Sequence, residues 1–518
     1  MNNYIDNFEV IEKLRNSLRG FSFKSKMEMC RNIAHLIDDC TLTKKLDKRN
    51  FKDPNFNIIQ QIFDTGHLHE IDFIALLSII DTENDDVNEL ETCGQFAELI
   101  NFLRDYNIPF LHKNDVDLDQ VVDGQTANWD EIASMLFLRM ALQQFPYQQS
   151  PLTSLYRYQW FYSYDRQNLN LADKFEREFF FPFDSYVFIC FLLFVLSENN
   201  SNLLTFDYLI QQLKGQKSFK SEEVIIMINQ ICATRENICE NFFQLKSSDE
   251  RMINFEFNSL KINPIIVAGL NEFFIPLPQL LFHAITQGFY HQLCDKYSDE
   301  QFRENFGKEI FELYVEHVIS WGKADYDVIP EFFYNKGKRS ADFTLVREND
   351  LILIEVKGTT PKTYLSSTDL KIFVDQLNKA YAVGVTQCAK KEVEIRNGTL
   401  NHSLFPKSID KIHYLIITLE DFYFFPTPFV LKTIKEYALS KGATIDDRKT
   451  FHLMSINTLE HILEHDKRSL FDFLAYRDCV NHTFSVAPWI DVKPKEQNTE
   501  QRSRQYLNKI IDKYMKNQ

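Results

Sequence analysis

Residues 332–358, FFYNKGKRSADFTLVRENDLILIEVKG, decide how the rest of this chain is read. Two apolar runs, Phe343-Thr344-Leu345-Val346 and Leu351-Ile352-Leu353-Ile354, flank the polar turn Arg347-Glu348-Asn349-Asp350, the pattern of a β-hairpin. Asp342 opens the first strand, and Glu355 and Lys357 close the second. Side chains alternate faces along a strand, so Glu355 and Lys357 share a side and Asp342 can lie beside them across the hairpin. Two carboxylates and an ammonium then converge at one sheet end, among apolar neighbours that give no structural reason to keep charge. The plainer reading is a same-face ion pair on an exposed strand, worth less than ~1 kcal/mol. Two carboxylates so placed otherwise suit a hard cation such as Mg²⁺, which takes oxygen ligands, keeps several waters and completes its shell with phosphate. A charged lysine is no ligand, but it can orient or deprotonate a water, or offset negative charge growing on a phosphorane-like transition state.

Asp342 followed, after a twelve-residue gap, by Glu355-Val356-Lys357 resembles the active-site signature of the PD-(D/E)XK nuclease superfamily, with Ala341 where a proline usually stands. The resemblance implies a restriction-endonuclease-like α/β core running helix, three strands, helix, strand (αβββαβ), whose first helix often adds a glutamate to the metal site. Residues 306–315 read as that amphipathic helix, with apolar spacings of three and four. Glu312 fits the glutamate's place best, with Glu309 and Glu316 as fallbacks. Residues 369–388 read as the second helix, and Gln376 and Tyr381 resemble the glutamine-tyrosine element that some branches use beside the lysine. Residues 413–419 supply another apolar strand, so the order of elements agrees over residues 295–440.

By the same resemblance Asp342, Glu355, the Val356 carbonyl and Glu312 would hold Mg²⁺, with Mn²⁺ able to substitute. Lys357 would position the water, and Gln376 would orient Lys357 or touch phosphate. The expected activity is a metal-dependent endonuclease acting on DNA before RNA. A prokaryotic restriction or anti-phage role is expected only by analogy of architecture.

At 518 residues the chain exceeds a single core and suggests several domains. The expected division is a mostly α-helical region at 1–290 that senses, regulates or oligomerises, a nuclease domain at 291–490, and a charged helical tail at 491–518. Only 14 glycines against 47 phenylalanines favour long helices and bulky cores. The longest apolar run, residues 186–196, is too short to span a bilayer, so no membrane partner is expected. Nine scattered cysteines lack any Cys-x-x-Cys pair, and the opening Met1-Asn2-Asn3-Tyr4 leads into a charged amphipathic stretch; a reducing cytoplasm is expected. The net charge of −16 argues against general affinity for nucleic acid. Locally, however, Lys336, Lys338, Arg339, Lys362, Lys371, Lys379, Lys390, Lys391 and Arg396 crowd the proposed site, and phosphate contact depends on such a patch.

Elsewhere the periodicity predicts helix over 57–63, 71–80, 96–103, 129–144, 223–245, 277–294 and 430–440. The aromatic stretch 175–183, FEREFFFPF, reads as helix-helix core in preference to a partner surface. Asp115-x-Asp117-x-Asp119 begins like a calcium loop but lacks the glycine and the closing glutamate. His67-Leu68-His69 reads as a turn. His461-Ile462-Leu463-Glu464-His465 matches an inverted zinc-protease pattern and is the alternative chemistry, although no further carboxylate ligand is evident downstream. A different class of alternative is a non-catalytic nucleic-acid-binding or scaffold protein built on the nuclease fold.

Overall fold

Alternation along residues 343–357 produces the expected hairpin, here the centre of a five-stranded sheet. The computed structural model describes residues 7–43, 68–81, 88–90, 93–104, 131, 134, 138, 154–164, 169–199, 204–213, 219–245, 258–269, 271–298, 301–322, 325–361, 370–424, 427–446, 449–465, 469–479 and 501–515. The sheet comprises β1 (Asp327–Pro330), β2 (Phe343–Arg347), β3 (Asp350–Lys357), β4 (Lys411–Thr418) and β5 (Phe451–Ser455), in the order β5-β4-β3-β2-β1. Strands β1, β2 and β3 are antiparallel neighbours, and the Arg347–Asp350 pair closes a two-residue turn in which Glu348 takes φ 52°. Turns of this length favour positive φ because their twist matches that of the flanking strands.

Strand β4 runs parallel to β3, with Lys357 opposite Thr418, and β5 runs parallel to β4. Parallel neighbours need a crossover. Helix α2 (residues 370–396) makes it from β3 to β4, and α3 (Pro428–Ser440) makes it from β4 to β5. Helix α1 (residues 302–319) precedes β1, while α4 (Ile456–His465) and α5 (Leu470–Cys479) follow β5. Both α1 and α2 contain one π turn, at Gly307–Phe311 and Asn378–Ala382. The C-terminal part is therefore α/β, in a chain that is otherwise mostly helical.

The alternation sorts the sheet into two cores. Ile352, Ile354 and Val356 pack with Leu415, Ile417 and the α1 residues Ile310, Tyr314 and Val315. Leu351 and Leu353 face the other way, with Ile416, Ala380, Tyr381, Val385 and Cys388. The first core extends without interruption into the helices Leu155–Tyr162, Phe183–Asn199 and Phe289–Lys296, and into the C-terminal helix Gln501–Met515. That last helix packs on the body: Tyr506 donates to Asp184 at 2.6 Å and Lys513 pairs with it at 2.8 Å. A third core joins the helices Asn7–Arg19, Phe23–Thr43, Leu68–Ile80 and Cys93–Arg104 to residues of the 238–280 stretch.

The helical reading of residues 223–245 is corrected. The chain leaves helix at Asn229, forms the strand Cys232–Thr234 and starts a new helix at Arg235. Thr234 ends the strand and accepts from the Asn237 N–H at 3.2 Å, a side-chain cap that begins the next helix. The strand joins Leu204–Thr205, Ile265–Val267 and Glu272–Phe274 in a small mixed sheet that periodicity did not reveal. In the aromatic stretch Phe175, Phe179 and Phe183 are core, with Phe179 stacked on Phe289 at 3.9 Å, while Phe180 is 63% exposed at φ 68°. The helices expected over 57–63 and 129–144, the Asp115/Asp117/Asp119 stretch, His67 and the side chains of His69 and His465 lie outside the described residues, apart from the three helical positions 131, 134 and 138. No single helix among the described residues is long and apolar enough to cross a membrane.

A buried ion pair ties the upstream helices to the sheet domain. Arg157 donates to Glu460 at 2.9 and 2.5 Å, and Tyr314 of α1 donates to the same carboxylate at 2.7 Å. Removing one partner of a buried pair strands the other charge. Glu460→Ala is expected to lower stability by about 3–5 kcal/mol in urea unfolding, and a Met/Met replacement of Arg157 and Glu460 should recover most of that loss.

Candidate active site

Strand β3 ends with Glu355, Val356 and Lys357, and three contacts fix the groups around them. Asp342, one residue before β2, accepts the Val356 N–H at 2.7 Å through Oδ2, so its other oxygen is left to face the site. Lys357 Nζ donates to Glu355 at 2.9 Å. Glu312, on α1, accepts from Lys308 one turn earlier at 2.8 and 3.1 Å. All four residues predicted from the signature, Asp342, Glu355, Lys357 and Glu312, together with Val356, line one open cleft of about 520 Å³.

Two glycines permit this convergence. A Cβ on Gly358 would stand 3.0 Å from Gly307 Cα, so α1 lies backbone to backbone against the end of β3 and brings Glu312 within reach. A Cβ on Gly384 would stand 3.0 Å from the Ile416 side chain and 3.4 Å from Glu355 Cβ, so α2 sits directly over the glutamate.

Burial and like charge act together on the carboxylates. Glu355 is 3% exposed, and this burial, reinforced by Asp342 and partly offset by Lys357, pushes its carboxyl up to about 7. Burial and the Asp342 charge raise Glu312 to about 7 as well, against the pull of Lys308. Glu355 and Asp342 outweigh the burial of Lys357 and raise its ammonium above the ordinary lysine value. Lys357 is thus held as a cation by the two carboxylates beside it. Glu355 and Lys357 are not the exposed ion pair of the plainer reading.

The cleft wall adds Lys308, Glu331, Lys338, Arg339, Ser340, Gln387, Lys390, Lys391 and Glu394. Of these, Lys338, Arg339, Lys390 and Lys391 belong to the basic patch seen in the sequence. They are interleaved with acids: Lys338 pairs with Glu394 at 2.7 Å, and Arg339 with Glu331 at 3.3 Å. Neither Glu331 nor Glu394 carried a sequence signal. Lys371, Lys379 and Arg396 lie outside the lining; Lys379 and Arg396 pair along α2 with Asp375 and Glu392.

Gln376 is a correction. It is buried on α2 and is not among the cleft-lining residues; the glutamine that lines the cleft is Gln387, farther along the same helix. Tyr381 is likewise core, packed on Phe422 and Phe424.

Asp342, Glu355 and Glu312 all line this cleft and offer oxygen donors of the kind a divalent cation of the Mg²⁺ class takes. Comparison with protein-family models, with curated proteins and with solved structures finds no match for this chain.

Two outcomes follow. Gly358→Ala crowds the α1 backbone, which must give by a few tenths of an ångström at Gly307, and differential scanning calorimetry is expected to show a lower melting temperature. Glu355 and Glu312 hold protons in the folded state up to about 7 that an unfolded chain releases near its ordinary 4.5. Folded protein then binds the extra protons, so these groups reduce stability as pH rises from about 5 to about 8 in chelator. Glu355→Gln removes one such group. Its melting temperature relative to the parent chain is expected to climb across that window, a difference in which the buried histidines cancel.

Proposed function

We propose that this chain is a metal-dependent phosphodiesterase that hydrolyses nucleic acid, DNA before RNA, in the manner of the PD-(D/E)XK nucleases it resembles. The observation that carries this reading is the meeting of Asp342, Glu355, Glu312 and Lys357 at the floor of a cleft that is also lined by Lys338, Arg339, Lys390 and Lys391. The element order α1-β1-β2-β3-α2-β4 supports it, being the order that the resemblance implies.

In this reading Asp342, Glu355 and Glu312, with the Val356 carbonyl, hold Mg²⁺ or Mn²⁺. The ion when bound supplies Lewis-acid polarisation of the scissile phosphate and acidifies a water. The chain's own residues do the rest. The Val356 N–H holds Asp342 in one orientation. Lys357, kept cationic by Glu355 and Asp342, donates to the attacking water or to a non-bridging phosphate oxygen and offsets charge in the transition state. Lys338, Arg339 and Lys391, exchanging their present carboxylate partners for phosphate, attract the polynucleotide backbone together with Lys390. Gln387 takes the contacting role that the sequence assigned to Gln376.

A restriction or anti-phage role is the biological setting we infer for such an enzyme, by analogy of architecture. Phage plating with the chain and its Lys357→Ala variant tests it; equal plating efficiency rejects it.

With Mg²⁺ or Mn²⁺, plasmid, linear duplex, single-stranded DNA and RNA are the substrates to assay. Cleavage of at least one is expected, falling by about 10²-fold or more in Asp342→Ala and Lys357→Ala. Mg²⁺ is also expected to raise the melting temperature of the parent chain and not of Asp342→Ala. A scaffold protein would show neither effect, and cleavage that survives in Asp342→Ala would remove this site from the reaction.

A further inference from the structure

Far along the sheet from the cleft, at the starts of β4 and β5, lies a second group of ligand-type side chains. His413 on β4 and His452 on β5 point to the same face of adjacent parallel strands, with ring centroids 6.0 Å apart. Asp478 reaches them from the end of α5. His413 Nδ1 is 3.2 Å from Asp478 Oδ2, and His452 Nε2 is 3.1 Å from Asp478 Oδ1. One donor atom from each of the three lies within 4.8 Å of the other two, and both histidines are buried.

His452 is 1% exposed, its Nδ1 makes no hydrogen bond, and its Nε2 stands 3.1 Å from a carboxylate oxygen. In a tetrahedral site with metal–nitrogen and metal–oxygen bonds of about 2.0–2.2 Å, neighbouring ligand atoms lie roughly 3.3–3.5 Å apart. The two observed separations run to different oxygens of Asp478, and one donor atom from each residue already lies within 4.8 Å of the other two, so a bound ion needs the three to close by about an ångström.

We propose that His413, His452 and Asp478 form a second metal centre, which takes a first-row transition dication, zinc foremost, and fastens α5 to the β4–β5 edge. Its chemistry differs from that of the cleft. Two imidazoles and one carboxylate suit zinc, whereas an all-oxygen set suits Mg²⁺, so the two sites sort cations by donor softness. Lys411 Nζ now stands 2.7 Å from Asp478 Oδ2, and the Thr450 hydroxyl donates to Oδ1. Lys411 is 47% exposed at its side chain and can withdraw into solvent when a dication replaces its charge. The Thr450 hydroxyl or a water completes the coordination.

The test uses the full chain carrying Asp342→Ala, which takes one proposed ligand from the cleft and sets the proposed nuclease reaction aside. Metal-stripped protein is titrated with Co²⁺ and then Zn²⁺, and visible absorption and melting temperature are followed. One equivalent of Co²⁺ with a tetrahedral spectrum, displaced by Zn²⁺ with a rise in melting temperature, is the expected result. His452→Gln and Asp478→Asn should each weaken binding at least about tenfold. Lys411→Met, which removes a competing ammonium from a half-exposed position, should tighten it severalfold and keeps the test open if the ligand variants do not fold. Absence of bound Co²⁺ in Asp342→Ala overturns the proposal. So does an affinity that His452→Gln and Lys411→Met leave unchanged.

Discussion

Strand β3 is buried from Leu351 to Val356, and one residue of that run is a carboxylate. A lone buried anion is costly, and the fold answers in two ways. Lys357, two residues on and on the same face, donates to Glu355. The sheet also ends here, so that Glu355 opens onto a cleft instead of being sealed in the core. The rest of the α/β region follows from holding this strand end in place. β2 brings Asp342 across the hairpin, α1 approaches through Gly307 and Gly358, and α2 closes over the glutamate through Gly384.

The upstream helices are bound into the same arrangement. Glu460 accepts from Arg157 and from Tyr314, and Tyr314 stands two residues from Glu312 on α1. The helix that carries a cleft carboxylate is therefore keyed to Leu155–Tyr162 through one desolvated carboxylate, and both belong to a single continuous core.

Charge is organised locally. The chain as a whole carries −16, yet the cleft is lined by Lys308, Lys338, Arg339, Lys357, Lys390 and Lys391 against five acids. Four of those acids pair with lining cations: Glu312 with Lys308, Glu331 with Arg339, Glu355 with Lys357 and Glu394 with Lys338. The cleft is thus close to charge balance within a strongly acidic chain.

The hairpin, α1, α2 and β4 were legible in the sequence, and so was the gathering of Asp342, Glu355, Lys357 and Glu312 around one cleft. The physical reason is that these features are local. Strand alternation puts Glu355 and Lys357 on one side whatever surrounds them, and a short turn sets Asp342 opposite. Gln376 and Gln387 show where this ends: periodicity assigns residues to a helix, but which turn meets the strand end depends on how the connecting chain and Gly384 seat α2 on Ile416. Glu331, Glu394 and the group His413, His452 and Asp478 were invisible for the same reason, since each is made by segments distant in sequence that only sheet register and helix docking bring together. The small upstream sheet is likewise a product of pairing between remote segments of two or three residues, too short to carry a period of their own. Covalent neighbours and repeating side-chain direction were fixed by sequence, and the meeting of remote surfaces was decided by tertiary packing, because packing energy depends on shape and burial summed over many residues, which no local spacing records.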